Sequence, residues 1–298
     1  MAAVLSCSAV LGVDFYSRAY DCAPNQTIFV SAFQRYVKLK DSDGPVNRFN
    51  PTAGAVGYVY SQGMWEAGAA FSYEHGTRKY DFGDSGFRVQ SDMPGFSLFG
   101  TMRNPTGWYV EGSTFLGFGT YKAKDLWDAG GNRLGSGDRN HKTVLAAGLE
   151  AGKVFDMGYD LAVTPHIGID YAYAPSENYT RNGLGANYAS QSFWEIPLGV
   201  SISKTFNCGA WSFTPRADAT MVTSIGNIDN MNANPGFAYR TARSWKVAAI
   251  GGDHLGARLS AGLDAKVGDR TTLGVDYTYE GRKHYNDHRI SAMLGWSF

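Results

Sequence analysis

The chain of 298 residues carries 27 Lys or Arg and 27 Asp or Glu, so its formal net charge at neutral pH is zero. This balance offers neither a basic surface for nucleic acid nor an acidic tail, and we predict no nucleic-acid partner. With 14% aromatic residues, 37 glycines and a mean hydropathy of -0.27, the composition is too polar for helical membrane spans but typical of strands that alternate apolar and polar side chains.

The N-terminal 26 residues give the weakest signal. Met1 to Gly12 are small and apolar but lack the positively charged start of a secretory signal. Asp14, Arg18 and Asp21 then bring charges among aromatic residues. We therefore interpret residues 1–26 as a linker or as a helix lying in a pore, and a trimmed signal or the end of a longer passenger stays open.

The cysteines and histidines suggest no site for a metal or a cofactor. Cys7, Cys22 and Cys208 lack the spacing of metal ligands, and His75, His141, His166 and His284 form no metal site that the sequence reveals. A disulfide between Cys7 and Cys22 stays open, although unpaired cysteines are the preferred interpretation. We predict neither a bound metal nor a cofactor.

From residue 27 onward, apolar and polar residues alternate again and again with the period of two that strands require. The clearest case is Leu255 to Val267, where Leu and Ala alternate with Gly, Arg, Ser, Asp and Lys, and the turn at Gly268 and Asp269 joins it to the next segment. We predict twelve strands: 27–39, 52–61, 64–78, 94–103, 107–122, 141–155, 161–173, 194–203, 210–224, 255–267, 272–280 and 288–298.

Short and long links alternate between these segments. The short links contain turn residues, whereas the long ones are polar and rich in Gly, Asn and Asp. Bacterial outer-membrane barrels have short periplasmic turns and long extracellular loops, and an even strand number puts both chain ends on the periplasmic rim. The predicted long links are 40–51, 79–93, 123–140, 174–190 and 225–253, with a brief one at 284–287.

Aromatic residues cluster toward the strand ends, where a membrane interface would suit a ring with a polar tip. A soluble sandwich is the alternative, but the polar faces of the strands carry few of the charges that a soluble surface needs. Toward the short links we place Trp65, Trp108, Tyr159, Trp211 and Trp296, and toward the long links Tyr58, Tyr60, Tyr73, Tyr121, Tyr171, Tyr173, Tyr277 and Tyr279.

The C-terminal strand keeps its alternation to the last residue. Ile290, Leu294, Trp296 and Phe298 share one face, and we interpret them as a C-terminal insertion signal. A terminal strand that must close a sheet in lipid has a reason to stay ordered, because an open edge would leave backbone groups without partners. The predicted fold is therefore all-β, a closed antiparallel transmembrane β-barrel of 12 strands over residues 27–298, integral to the bacterial outer membrane.

Charged residues on the polar faces are the candidate pore lining. They either satisfy one another in a water-filled interior, or hold a pore helix and tune passage, since lumen residues set selectivity in such barrels. The predicted pore-lining residues are Glu66, Glu111, Glu150, Glu195, Arg216, Asp218, Arg258, Asp264, Asp276 and Arg289, together with Asp170.

We do not expect catalysis. Asp253 and His254, and again Asp287 and His288, place a carboxylate beside an imidazole. Adjacent residues on a strand point to opposite faces, so neither carboxylate can orient its neighbour as a catalytic triad requires. We name no catalytic residue.

Several segments together resemble the autotransporter β-domain, the translocator of bacterial type V secretion. The resemblance covers residues 25–298, nearly the whole chain, and its terminal aromatic is common to outer-membrane barrels in general. The segments that carry it are Gly148–Gly152, Thr164–Tyr171, Phe213–Arg216, Leu255–Val267, Leu273–Tyr279 followed by His288, and Trp296-Ser297-Phe298.

The resemblance implies a twelve-stranded barrel with a helix through its pore, which supports export and surface display of an N-terminal passenger. It also implies a monomer in the outer-membrane bilayer, with the barrel-assembly machinery and periplasmic chaperones as partners. The Asn-Asn pair at which some members cleave themselves is missing from residues 1–26, where Asn25 stands alone. We therefore predict no self-cleavage.

No passenger precedes the predicted barrel, so three interpretations stay open: a fragment, a trimmed form, or a barrel without cargo. For a barrel without cargo, the alternative function is a pore or an adhesin that acts through its long loops. Loop 225–253 carries aromatic and basic residues suited to a surface ligand, namely Phe237, Tyr239, Arg240, Arg243 and Trp245.

Overall fold

A computed structural model of the protein describes residues 25–39, 46–81, 86–127, 133–135, 139–174, 177–181, 184–188, 191–226, 254–268, 270–283 and 285–298. The predicted pore helix, the apolar start of the chain, Cys7 and Cys22 lie outside these residues, as does most of loop 225–253. Among the described residues, no helix has the length and apolar character to cross a membrane.

Twelve long strands form one antiparallel sheet in which each strand pairs with its neighbours along the chain. The first strand also pairs with the last, from Thr27 opposite Ser297 to Leu39 opposite Tyr285, so the sheet closes into a barrel. The predicted closed 12-stranded barrel is confirmed. The strands are β1 Asn25–Leu39, β2 Val46–Gln62, β3 Trp65–Asp81, β4 Gly86–Arg103, β5 Trp108–Trp127, β6 Arg139–Lys153, β7 Leu161–Ala174, β8 Gln191–Lys204, β9 Trp211–Gly226, β10 Leu255–Val267, β11 Thr271–Arg282 and β12 Tyr285–Ser297.

Within the described residues, five shorter strands lie at the rims. Phe155–Asp156 and Phe206–Cys208 extend the short links, and Arg133–Gly135 pairs with the outer end of β5. Glu177–Arg181 and Leu184–Tyr188 form a separate hairpin between β7 and β8. Cys208 is a free, exposed thiol.

The outer surface of the barrel is apolar, as a lipid-facing surface must be. Large hydrophobic side chains are exposed on every strand at alternate positions, and the predicted insertion signal belongs to this face: Ile290, Leu294, Trp296 and Phe298 are all about half exposed. The aromatic residues Trp65, Trp108, Tyr159, Trp211 and Trp296 are exposed near the short-link rim. Such a ring of aromatic side chains is typical of a membrane interface.

The opposite aromatic belt is only partly as predicted. Because β2 runs toward the short link at residues 63–64, Tyr58 and Tyr60 lie at the short-link rim rather than the long-loop rim. Tyr121 is 4% exposed and points into the barrel. Tyr73, Tyr171 and Tyr277 do lie on the outer surface toward the long loops.

The strands continue further toward the long-loop rim than the apolar alternation predicted. The expected link at 79–93 shrinks to residues 82–85, because β3 ends at Asp81 and β4 begins at Gly86. Beyond the bilayer both faces of a strand meet water, so the alternation that marked the strands in the sequence stops while backbone pairing goes on.

Several glycines of the inner face lie beneath aromatic rings from a neighbouring strand. A Cβ on Gly57 would be 2.2 Å from Cζ of Phe29, and a Cβ on Gly68 would be 2.4 Å from Cζ of Phe99. Each ring therefore lies flat against the wall, over the place where its partner has no side chain. Phe29 and Phe99 stand edge to face at 6.3 Å and belong to a buried cluster with Val59, Ala70 and Met293.

Replacing Gly57 by Val should destabilise the barrel by about 1–3 kcal/mol, because Phe29 would lose its place against the wall. Gly54→Val on the same strand is the matched control: its Cβ would face outward with its nearest neighbour, the Ser31 carbonyl oxygen, at 3.7 Å. The control should change stability by less than about 0.5 kcal/mol. Urea unfolding in lipid vesicles, followed by Trp fluorescence, measures both; an equal loss in the two variants would contradict this packing.

Candidate functional site: a lumen lined by ion pairs

The predicted pore-lining residues all stand at positions whose parity is opposite to that of the lipid-facing side chains. Glu111, Glu195, Asp264 and Asp276 are buried, with exposures between 0% and 8%. Charges in such positions are stable when they are paired and hydrogen-bonded. The structure gathers most of the set into separate clusters along one part of the wall.

The largest cluster joins β8, β9, β10 and β11. Arg282 donates from Nη2 to Glu195 Oε1 at 2.5 Å and from Nε to Glu280 Oε1 at 2.9 Å. Arg258 Nη2 lies 3.2 Å from Glu280 Oε2 and 3.9 Å from Glu195 Oε2. Ser224 accepts from Arg282 Nη1 at 2.6 Å and donates to Glu195 at 3.1 Å. Two carboxylates and two guanidinium groups thus neutralise one another.

A second cluster lies on β9, β10 and β11. Arg216 Nε donates to Asp264 Oδ2 at 2.8 Å, and its Nη2 reaches Asp276 Oδ1 at 2.5 Å. Asp276 is two strands away, and the side chain of Arg216 crosses β10 at Gly262, where a Cβ would be 3.0 Å from Arg216 Cζ and 2.3 Å from Asp276 Oδ1. A glycine between the partners therefore lets the pair lie along the wall.

A third cluster, on β6 to β9, also has a glycine between its two partners. His166 Nε2 is 2.8 Å from Asp218 Oδ2, across β8, and its Nδ1 is 3.6 Å from Glu150 Oε2. A Cβ on Gly199 of β8 would be 2.7 Å from the imidazole Nε2. Tyr109 donates to Glu150 at 2.8 Å, so this cluster also reaches β5.

At the seam between the first and last strands, Arg35 forms a two-pronged ion pair with Asp287, and both side chains are buried. Arg289, from the predicted set, donates to Thr278 at 3.2 Å. Glu66 stands apart near the short-link rim, where it accepts from Ser61 at 3.3 Å. The predicted residues therefore do not form one constellation.

Sequence reasoning missed four charged members of these clusters, Arg35, Glu280, Arg282 and Asp287, and also His166. Their alternation with apolar neighbours could have revealed them. However, Asp287 lies within the predicted outer link 284–287, Arg282 lies just before that link, and Arg35 lies in a weakly alternating segment. The apolar cluster around Phe29 was also missed. It lies near the short-link end of the lumen, on β1 to β4 and β12, where polar residues were expected.

The Asp287-His288 pair separates as predicted for adjacent strand residues. Asp287 faces the lumen, whereas His288 lies outside, 2.8 Å from the hydroxyl of Tyr277 and 5.0 Å from the ring of Tyr279. His254 binds the Ser224 carbonyl oxygen at 2.9 Å. Within the part of the chain that the structure describes, no group of three or more His, Cys, Asp or Glu is placed to hold a metal ion.

Comparisons with known proteins agree with this architecture. A family model for the autotransporter beta-domain matches residues 28–278. The fold is similar to the β domain of the Bordetella autotransporter BrkA (17% identity, TM-score 0.71, covering 92% of this chain and 99% of that one). It is also similar to the translocator domain of NalP from Neisseria meningitidis (15% identity, TM-score 0.63, covering 99% of this chain and 96% of that one). A third similar structure is the transport unit of AIDA-I from Escherichia coli (14% identity, TM-score 0.68, covering 91% of this chain and 90% of that one). No curated protein sequence matches significantly.

Replacing Arg282 by Met should destabilise the barrel by about 3–5 kcal/mol, because removing one partner leaves an uncompensated buried charge. Glu195 and Glu280 would then share the single guanidinium of Arg258. Arg270→Met, at an exposed position in the short link after β10, is the control and should change stability by less than about 0.5 kcal/mol. Urea titration in vesicles checks the difference, and a loss below 1 kcal/mol for Arg282→Met, on the order of a surface substitution, would argue against a stabilising network.

Proposed function

Because this chain belongs to the autotransporter β-domain family, whose barrels are outer-membrane translocators for an N-terminal passenger, we propose that its lumen is the route along which that polypeptide passes. The observation that carries the proposal is the arrangement of the lumen charges, which are turned toward one another along the wall. A barrel of about eight strands is just filled by its own side chains, so twelve strands leave room inside.

Paired charges suit a passage that must accept many sequences. An unpaired lumen charge would attract or repel each charged residue of a passing chain, since Coulomb interactions are strong where water is scarce. In the cluster of Glu195, Glu280, Arg258 and Arg282 the formal charges cancel. The glycines beneath Arg216 and His166 keep those side chains against the wall and away from the axis.

The N-terminal residues enter this proposal as the connection to the passenger. β1 begins at Asn25 on the short-link rim, so a chain that leads from the lumen or the periplasm joins the barrel there. We propose that residues 1–24 serve as this linker, with a helix in the pore as its predicted form. The predicted boundary between linker and barrel, at residues 26 and 27, remains part of this proposal and lies two residues after the start of β1.

We further propose that the barrel-assembly machinery, aided by periplasmic chaperones, recognises the C-terminal strand. Trp296 and Phe298 remain about half exposed on the lipid-facing surface, and the backbone N–H of Phe298 donates to the Gln26 carbonyl oxygen at 2.9 Å. An exposed apolar end offers a receptor a surface to bind before closure. We propose a monomeric barrel without catalytic activity of its own, since Asp287 and His288 point to opposite faces.

An unstructured reporter fused ahead of residue 1 should reach the cell surface. Protease added to intact cells should cleave more than about half of the reporter while a periplasmic marker stays intact, because the barrel provides a path that the closed membrane does not. The same fusion in permeabilised cells is the control for cleavability. A correctly folded, heat-modifiable barrel whose reporter is cut only after permeabilisation would overturn the proposal.

The proposed insertion signal is tested with Phe298→Ser. Outer-membrane insertion should fall several-fold, measured as the fraction of heat-modifiable barrel in that membrane. Phe206→Ser is the matched control, because Phe206 is also about half exposed at the same rim but belongs to the link after β8. If the two substitutions lower insertion equally, the effect is a general loss of apolar surface and the signal is refuted.

A further inference from the structure

Basic side chains cross the outer surface of six neighbouring strands, beyond the apolar belt. Four strand-to-strand steps are in register: Lys38 stands opposite Arg48, Arg48 opposite Lys79, and Lys79 opposite Arg88, while Lys122 on β5 stands opposite Arg139 on β6. Between β4 and β5, Arg88 stands opposite residue 124, which is two residues along β5 from Lys122. We call the set Lys38, Arg48, Lys79, Arg88, Lys122 and Arg139 the basic arc.

All members of the basic arc share the lipid-facing parity of their strands. Lys79 has the parity of Phe71 and Tyr73, Arg88 that of Phe96 and Leu98, and both apolar pairs are exposed on the outer surface. Side chains on a strand alternate between its two faces, so the arc projects outward and not into the lumen. It is separate from the ion pairs of the translocation route.

The arc occupies one side of the barrel. On β7 to β12, the described outward-facing positions toward the long-loop rim carry no Lys or Arg, and Lys283 stands in the turn that follows β11. That side presents aromatic residues instead: the rings of Tyr171 and Trp194 lie 4.6 Å apart, and His288 contacts Tyr277 and Tyr279. General solubility of the rim would not require such an asymmetry.

Asp92 is an acidic residue on the outer surface of β4, and its carboxylate is engaged in a network of hydrogen bonds. Asp92 accepts from the Tyr73 hydroxyl at 2.7 Å and lies 2.7 Å from His75 Nδ1, and Gln90 approaches the other imidazole nitrogen at 3.5 Å. This network lies between the apolar belt and the arc. Arg139 of the arc adds a favourable charge interaction with Asp92, and the six cations of the arc outnumber this carboxylate.

The height of the arc indicates the kind of headgroup that it meets. Lys79 follows Tyr73 by six residues and Lys122 follows Phe118 by four. At about 3.3 Å per residue and a tilt of about 40°, these cations lie roughly 10–15 Å beyond the apolar belt. A phospholipid headgroup layer is only about 5–7 Å thick on each side of the bilayer. Lys38, only two residues beyond Tyr36, lies closer to the membrane than either, so the cations of the arc stand at different heights.

We propose that the outer surface of β1 to β6 binds the phosphorylated saccharide headgroup of an outer-leaflet glycolipid. A headgroup with several phosphates at different heights matches cations that stand at different heights above the membrane, whereas a single glycerophosphate meets only the lowest of them. Arg and Lys are the side chains that suit phosphate, with Arg able to bind two of its oxygens. The bound lipid would orient the barrel and support its β1 to β6 side.

The test compares two triple variants of the folded full chain. Lys79→Gln, Arg88→Gln and Lys122→Gln remove three charges from the arc; Lys153→Gln, Lys204→Gln and Arg270→Gln remove three from the opposite rim. Native mass spectrometry and a titration in nanodiscs measure binding of a purified bisphosphorylated glycolipid. Since a basic residue near an anionic surface contributes roughly fivefold in affinity, we expect the arc variant to lose about 100-fold and the rim variant less than about threefold.

Three further probes identify the source of the phosphate: the same glycolipid after dephosphorylation, phosphatidylglycerol, and inorganic phosphate. The dephosphorylated lipid and phosphatidylglycerol should bind the unmodified protein at least tenfold more weakly, and inorganic phosphate should not displace the glycolipid at equal phosphate concentration. The proposal would be overturned if the two triple variants bound the glycolipid with equal affinity. It would also be overturned if any of these probes bound the unmodified protein as tightly as the glycolipid does. Heat-modifiability of both variants confirms folding, and because the assay needs no passenger, its failure is distinct from failure of translocation.

Discussion

Every backbone N–H and C=O that lies in lipid must find a partner within the protein, and this constraint governs the whole structure. A sheet satisfies it only by closing, which here means the pairing of β1 with β12 over 13 residue pairs from Thr27–Ser297 to Leu39–Tyr285. Inward-facing Thr27 and Ser297 add a side-chain hydrogen bond of 2.9 Å at the seam. Closure fixes which side chains meet lipid and which meet the lumen, so the rest of the architecture follows from it.

The lumen shows how a barrel can carry large side chains without filling its interior. On one part of the wall aromatic rings lie over glycines, as Phe29 does over Gly57; on another part ion pairs do so, as Arg216 and Asp276 do over Gly262. The chemistry differs but the packing solution is the same, because in both cases a missing Cβ lets a neighbour lie flat. The high glycine content, 37 residues, therefore has a structural role beyond turns.

The sequence predicts the strands well only where they cross the lipid bilayer. Where one face meets hydrocarbon and the other does not, as from Leu255 to Val267, alternation predicts the strand and its two faces. Beyond the bilayer that contrast disappears, which is why the alternation predicts a loop where β3 and β4 have their outer ends. The sequence does not reveal which lumen charges pair, for another reason. Arg216 and Asp276 lie two strands apart, and they meet because the register of β9, β10 and β11 places both beside Gly262. Spacing along the chain does not give that register. The prediction that places Tyr121 in the outer aromatic belt is wrong, because an aromatic residue near a strand end can face either the lumen or the lipid.

The seam also has a kinetic meaning. Eleven of the strand pairings join neighbours along the chain and can form as local hairpins, but Thr27 and Ser297 are 270 positions apart. Contacts of such separation form slowly, because the intervening chain must first be ordered. An open sheet with two bare edges therefore precedes the cylinder. Those edges are the point at which the nascent domain is most exposed to mispairing and at which a helper protein can shelter it most effectively.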